Sequence, residues 1–197
     1  MKVVELVTIK DNEEFLRQVS EEVDFNDKSY LDDIKKLEDY CLNHEVFAMA
    51  AIQIGIPKRI MYLKNTTTDL DRNSNNHYNE GKVLINPIVI SRKGHTEYLE
   101  GCQSCLDFVG VVVRPYQTEV EYYTVEGKKV RETFTGMVST VFSHENDHFY
   151  GILHMDRAKE VIKMSNEEKR KYREEHPLLI IDKDSDYDIS NEYCKKK

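Results

Sequence analysis

No run of apolar residues in this 197-residue chain approaches the ~20 that a membrane-spanning helix needs. Basic charge is also short: 28 Lys and Arg stand against 36 Asp and Glu, for a net charge of −8. That balance speaks against general nucleic-acid binding, which wants a basic footprint. Cysteine is sparse, with four residues. The opening Met1 to Phe15 carries early acidic residues, and has neither an uninterrupted apolar core nor a small-residue cleavage site. A secreted, disulfide-framed protein is therefore not expected, and the Asn65-Thr66-Thr67 sequon carries no weight. The expected compartment is the cytoplasm, or an organelle if a transit segment has been removed. Internal repeats are absent. A hydrophobic content of 40% and a charged content of 32% are those of a soluble globular chain.

The length suits a single domain with a core that needs no staples. Its expected extent is 1–182, with 183–197 a polar, flexible tail. Tyr30 to Asn43 places Leu31, Ile34, Leu37 and Cys41 at helical spacing. Glu45 to Gly55 is a small-residue stretch, and Arg59 to Leu63 reads as a strand. Asn65 to Glu80 is polar and turn-rich, the pattern of a long surface loop. Lys82 to Ile90 is β-like, with Pro87 marking an edge or a bend. Glu119 to Thr133 alternates about Glu126-Gly127 as a hairpin does. Ser165-Asn166-Glu167-Glu168 is a capping box that opens a helix running towards Pro177. The fold class expected is α+β: mostly antiparallel sheets around a central buried helix.

That helix runs from Phe134 to Tyr150 and holds His144-Glu145-Asn146-Asp147-His148. Positions i and i+4 share a helix face, so His144 and His148 can aim their rings at one point. Glu145 stands beside them, where a carboxylate can take a proton from water. Met137, Val141, His144 and His148 form one stripe, and Val138, Phe142 and Phe149 another. A helix apolar on two sides belongs inside a domain. Histidines and acids such as Glu145, Asp147 and Asp156 are costly to bury alone, and a metal compensates. Gly151 is placed to stop the helix.

A catalytic metal site of this kind takes three protein ligands and leaves a position open. Cys102 and Cys105 are candidates for the third, along with acids or histidines elsewhere. Spacing alone leaves a closed Cys₂His₂ structural site and an open catalytic site both standing.

Three ordered segments resemble the signature motifs of the peptide deformylases. Val46 to Gln53 (VFAMAAIQ) matches G-x-G-x-A-A-x-Q, Glu100 to Ser104 matches E-G-C-x-S, and His144 to His148 matches H-E-x-D-H. Leu84 to Pro87 and Phe134-x-Gly136 resemble the lead-ins to the second and third. The likeness covers roughly Asn12 to Arg157.

The resemblance implies hydrolysis of the N-terminal formyl group from formyl-methionyl nascent polypeptides, with release of formate. Transient contact with the ribosome would accompany such work, without nucleic-acid or membrane binding of its own. It implies one divalent ion held by Cys102, His144 and His148: Fe²⁺ by family habit, with Zn²⁺, Ni²⁺ or Co²⁺ able to take its place. Glu145 becomes the general base, and the Gln53 amide and Gln103 backbone N–H the oxyanion donors. Glu100 and Arg114 are expected as a buried pair holding the cysteine loop, and Asp147 as the residue orienting a ligand histidine. Phe47, Ala48, Tyr98 and Val141 are candidates for the wall that takes the methionine side chain.

The chain also departs from the pattern. Val46 and Ala48 replace both glycines of the first motif, and Cys105-Leu106-Asp107 follows Ser104 where an apolar residue, Pro and Gly are usual. Two rival readings are a different metal-dependent amidase or peptidase, and a catalytically silent relative whose Cys102, Cys105, His144 and His148 close around a structural ion.

Overall fold

A computed structural model describes residues 4–64 and 81–187. Asn65 to Glu80, read as a surface loop, lies outside the described residues. Five helices are described: α1 (Ile9–Leu16), α2 (Tyr30–Asn43), α3 (Gly136–His148), α4 (His154–Arg157) and α5 (Asn166–Glu175). The strands are β1 (Ala48–Ala50), β2 (Ile60–Lys64), β3 (Gly81–Gly101), β4 (Phe108–Arg114), β5 (Gln117–Tyr123), β6 (Lys129–Thr135), β7 (Val161–Lys163) and β8 (Leu179–Asp186). The named strands pair antiparallel, and the fold is mixed α and β.

One strand organises the sheet. β3 pairs with β2 at its start, with β5 through its middle, and with β4 and β8 towards its end. Its register shifts between Ile85 and Ile88, around Asn86 and Pro87. Pro87 has no N–H to give to a ladder, and a bulge accommodates it. Asn86 turns there with φ 48°. Its side chain accepts from Val23 N–H at 2.8 Å and donates to Val23 C=O at 3.0 Å, doing the work of a neighbouring strand. The bend foreseen at Pro87 is present, but the strand continues eleven residues past Ile90 to Gly101.

β2 is apolar from Ile60 to Leu63 because helices cover both its faces. Ile60 and Tyr62 pack with Ile34, Leu37 and Cys41 of α2. Met61 and Leu63 pack with Phe142 of α3 and Phe149 just beyond it. Phe134 belongs to β6 rather than to the helix, which starts at Gly136. α3 buries Val138 and Phe142, whereas Met137, Val141 and His144 are half-buried. The second stripe thus feeds the core, and Met137, Val141 and His144 of the first stripe are left to line a cleft. Gly151 turns the chain after α3 with φ 68°, and a Cβ there would lie 1.9 Å from the Arg17 carbonyl oxygen. Only glycine fits.

The β5–β6 hairpin turns at Glu126-Gly127, with Gly127 at φ 77°. Ser165 and Glu168 cap α5 reciprocally. β8 pairs with β3 through Asp186, so the segment read as tail begins as a strand. Among the described residues no helix is long and apolar enough to cross a membrane.

Candidate functional site

The sheet delivers Cys102 and α3 delivers the histidines. Along the end of β3, alternate residues Thr96, Tyr98 and Glu100 turn inward. Gly101 ends the strand, and Cys102 begins a short 3₁₀ turn in which Cys105 N–H bonds to the Cys102 carbonyl at 3.0 Å. One helical turn separates His144 from His148, and their ring centroids lie 5.2 Å apart.

The ligand-capable atoms of Cys102, His144 and His148 all lie within 4.8 Å of one another. Cys102 Sγ is 3.4 Å from His148 Nε2. Cys105 is not in this group; it is fully buried and packs with Leu16 and Leu153. The donors present suit a metal ion: a thiolate and two imidazoles are a first-row transition-metal set. The surroundings favour positive charge at that point. Burial opposes protonation of His144, yet hydrogen bonds to Cys102 and Glu100, and the nearby carboxylates, raise its pKa well above the usual histidine value. The same negative groups would favour a bound cation there.

Glu100 accepts from His144 Nδ1 at 2.9 Å and from Arg114 Nε and Nη2 at 2.7 and 2.9 Å. Arg114 Nη1 continues to Asp147 at 2.6 Å, and Arg157 bonds both oxygens of Asp147 at 2.5 and 2.7 Å. Burial works against the charge on Glu100, but Arg114 holds its carboxyl far below the usual range. The expected Glu100–Arg114 pair is therefore present, and one expectation is corrected. Asp147 meets two arginines, and Glu100 is the carboxylate bonded to the His144 ring. From α3 the Asp147 side chain reaches Arg114 and Arg157.

Arg114→Met would leave buried Glu100 without its arginine and Asp147 with Arg157 alone. It is expected to cost about 3–5 kcal/mol, because breaking a buried pair from one side leaves uncompensated charge. A urea midpoint at unchanged slope reads this loss, and a change under about 1 kcal/mol would mean that water reaches the network.

Glu145 is buried beside the cluster and accepts from Ala50 N–H at 2.9 Å. Burial pushes its pKa up to about 7, against the opposing charge of His144. Gln53 comes from a 3₁₀ turn, Ala51–Ile54, directly after β1. Its Oε1 accepts from Ala50 N–H at 3.0 Å, and its Nε2 donates to Cys102 Sγ and Ser104 Oγ, both at 3.2 Å. The amide of Gln53 is thereby aimed at the cluster.

A cleft of about 260 Å³ opens over these groups. Phe47, Ala48, Tyr98 and Val141, the candidate substrate wall, all line it, as do Val46 and Gln103.

The family profile described as Polypeptide deformylase matches residues 3–164. The chain belongs to the peptide deformylase family. It is 37% identical over 146 residues to the peptide deformylase of Rhizobium meliloti (strain 1021), covering 72% of this chain and 78% of that one. The crystallised peptide deformylase of Plasmodium falciparum superposes with a TM-score of 0.65 at 28% identity, covering 86% of this chain and 91% of that one. That of Legionella pneumophila gives 0.65 at 25% identity, over 87% and 92%. Deformylases are metal-dependent hydrolases that remove the formyl group from newly made polypeptides, and this chain is one of them.

Several residues of this deformylase site escaped the sequence reading. Arg157 clamps Asp147, and His154 stacks on His144 with centroids 5.8 Å apart. Met137, Thr140 and Arg173 line the cleft. Arg157 had a signal, since a buried acid on α3 required a cation. Arg173 had none, being one charge among many on an exposed helix. The cysteine loop carries strain as well: Leu106, where the family pattern has proline, takes φ 58°, a conformation costly for a side chain of this kind.

Proposed function

We propose that Cys102, His144 and His148 hold the single metal ion of this deformylase, with Fe²⁺ the resident species and Zn²⁺, Ni²⁺ or Co²⁺ able to substitute. The observation that carries this is the convergence of their donor atoms within 4.8 Å beside a buried carboxylate. When bound, such an ion supplies Lewis acidity, which polarises a carbonyl and makes water nucleophilic near neutral pH. α3 is the central element that carries this chemistry.

Glu145 is the general base. Its carboxyl, raised towards neutrality, takes the proton of the attacking water and delivers it to the amine that leaves. A cation nearby favours its ionised form, so it starts as the acceptor. The Gln53 amide, held at Oε1 by Ala50 N–H, and the backbone N–H of Gln103 stabilise the negative charge that develops on the formyl oxygen. Glu100, charged through Arg114, fixes the tautomer of His144 by accepting from Nδ1, which leaves Nε2 for the ion. Asp147 acts one step further out, by anchoring Arg114. Phe47, Ala48, Tyr98 and Val141 supply apolar surface for the methionine side chain.

The substrate is the formyl-methionyl end of a nascent polypeptide, met in the cytoplasm, or in an organelle if a transit segment was removed, with transient contact to the ribosome. A second cysteine ligand would close the site; Cys105, outside the group of convergent donors, favours the open arrangement. After cobalt substitution, absorption separates the two arrangements: a single thiolate gives a weaker charge-transfer band than two, and the band should vanish in Cys102→Ala.

Gln53→Ala is expected to lower kcat by about 10²–10³-fold, the usual loss of one oxyanion donor. The Michaelis constant should move much less. A change confined to the Michaelis constant would assign Gln53 to ground-state binding instead.

A further inference from the structure

A third histidine stands beside the donor set, on neither α3 nor the cysteine loop. His154 opens α4 and is fully buried. Its ring lies along that of His144, with centroids 5.8 Å apart and planes 24° from parallel. Its Nε2 meets the carbonyl of Phe108, the first residue of β4, at 3.2 Å. A carbonyl only accepts, so Nε2 carries the proton and donates it. Nδ1 is buried and has no hydrogen-bond partner among the described residues. A second proton there would be an unpaired interior charge, so the ring is a neutral one.

α4 is a single turn, yet it is fastened firmly. Asp156 accepts from Leu153 N–H at 2.9 Å and pairs with Arg17. Lys159 N–H bonds to the Val111 carbonyl at 3.2 Å, which ties the end of the turn to β4. Between these points a Cβ on Gly110 would collide with that of Ala158. Glycine at 110 therefore lets the end of α4 sit directly on the strand. The His154 ring thus projects from a fixed support.

His144 needs such a support. Glu100 accepts from its Nδ1 at 2.9 Å, which fixes one edge of the ring. A single hydrogen bond leaves the ring free to tilt, and the χ2 torsion of histidine is soft. A second ring packed along its face opposes the tilt. The bond to Phe108 reaches the far end of the segment that starts at Cys102. His154 therefore touches the His144 ring with its face and the cysteine segment with its N–H.

We propose that His154 is a positioning residue of the metal centre: it fixes the plane of His144 relative to the cysteine loop, and so governs how tightly the ion is retained. This rests on Cys102, His144 and His148 being the ligands.

Zn²⁺ affinity, measured by competition with a chromophoric chelator, and the absorption bands of Co²⁺-substituted protein are the two readouts. His154→Phe keeps a flat ring of similar size and loses the donor. His154→Gln can still donate to Phe108 and loses the ring, and His154→Ala loses both. Val112→Ala, a truncation at a buried position of β4, controls for lost packing alone. Removing a group that orients a ligand typically costs about 10–100-fold in metal affinity. His154→Ala should lose Zn²⁺ affinity on that scale and shift the Co²⁺ bands. His154→Phe and His154→Gln should each recover part of the loss, and both should remain measurably weaker than wild type. Val112→Ala should lower the urea midpoint while leaving Zn²⁺ affinity and the Co²⁺ bands at wild-type values. Should His154→Ala fail to fold, the volume-conserving His154→Phe carries the test. Zn²⁺ affinity within about twofold of wild type in both His154→Phe and His154→Gln, far short of the loss expected for an orienting group, overturns the proposal. An equal loss in Val112→Ala overturns it too. Retention of Zn²⁺ by Cys102→Ala overturns instead the ligand assignment beneath it.

Discussion

Cys102→Ala is expected to remove the metal and formate release together, while Cys105→Ala keeps both. The two thiols stand three residues apart on one turn, yet their surroundings differ. Cys102 Sγ faces His148 Nε2 at 3.4 Å and receives the Gln53 amide at 3.2 Å. Cys105 stands outside the group of convergent donors and is fully buried. Two histidines alone leave a divalent ion under-coordinated, so the loss in Cys102→Ala should approach the whole of the activity. Cys105→Ala deletes a small buried sulfur and should show as a modest fall in stability, by the usual cost of a large-to-small change. Metal content and rate are best measured at one pH, because thiolate ligation is proton-linked. Metal loss in the Cys105 variant with retention in the Cys102 variant would falsify the ligand assignment.

The second large effect is expected from Glu145→Gln, which should keep the metal and lose about 10²–10⁴-fold in turnover. Glutamine has nearly the same shape and can still accept from Ala50 N–H, so the fold has little reason to change. It cannot take a proton from water or hand one to the departing amine. Metal analysis and single-turnover formate release on the same sample separate the two roles. Turnover within a few-fold of wild type would remove Glu145 from the mechanism. Loss of metal along with the rate would make it a ligand.

How far these assignments were readable in the sequence depended on distance along the chain. The α3 motif is local: i, i+4 spacing alone places two imidazoles on one face, and α3 has them there. The α5 cap and the β5–β6 turn are equally local, set by Ser165 with Glu168 and by Gly127. β3 was only half legible. Its first part is apolar, with Val83 to Ile85 buried, whereas Ser91 to Gly101 carries Arg92, Lys93, His95 and Glu97 among its inward residues and reads as polar. Its strand identity comes from pairing with β4 and β8, which local composition does not encode.

The same limit applies around the metal site. Family likeness supplied the Glu100–Arg114 pair, but the partner of Asp147 depended on which side of α3 faces β4. The structure gives it to Arg114 and Arg157. Arg173 enters the cleft only because α5 folds back onto the end of β3.

The central claim is that one ion, held by Cys102, His144 and His148, makes this chain a deformylase. Formate release from a formyl-methionyl peptide, followed while the ion is stripped by a chelator and then returned anaerobically as Fe²⁺, tests it most directly. Activity should fall in proportion to metal content and return in full at one ion per chain. Undiminished formate release from fully stripped protein, or recovery that needs two ions per chain, would contradict it.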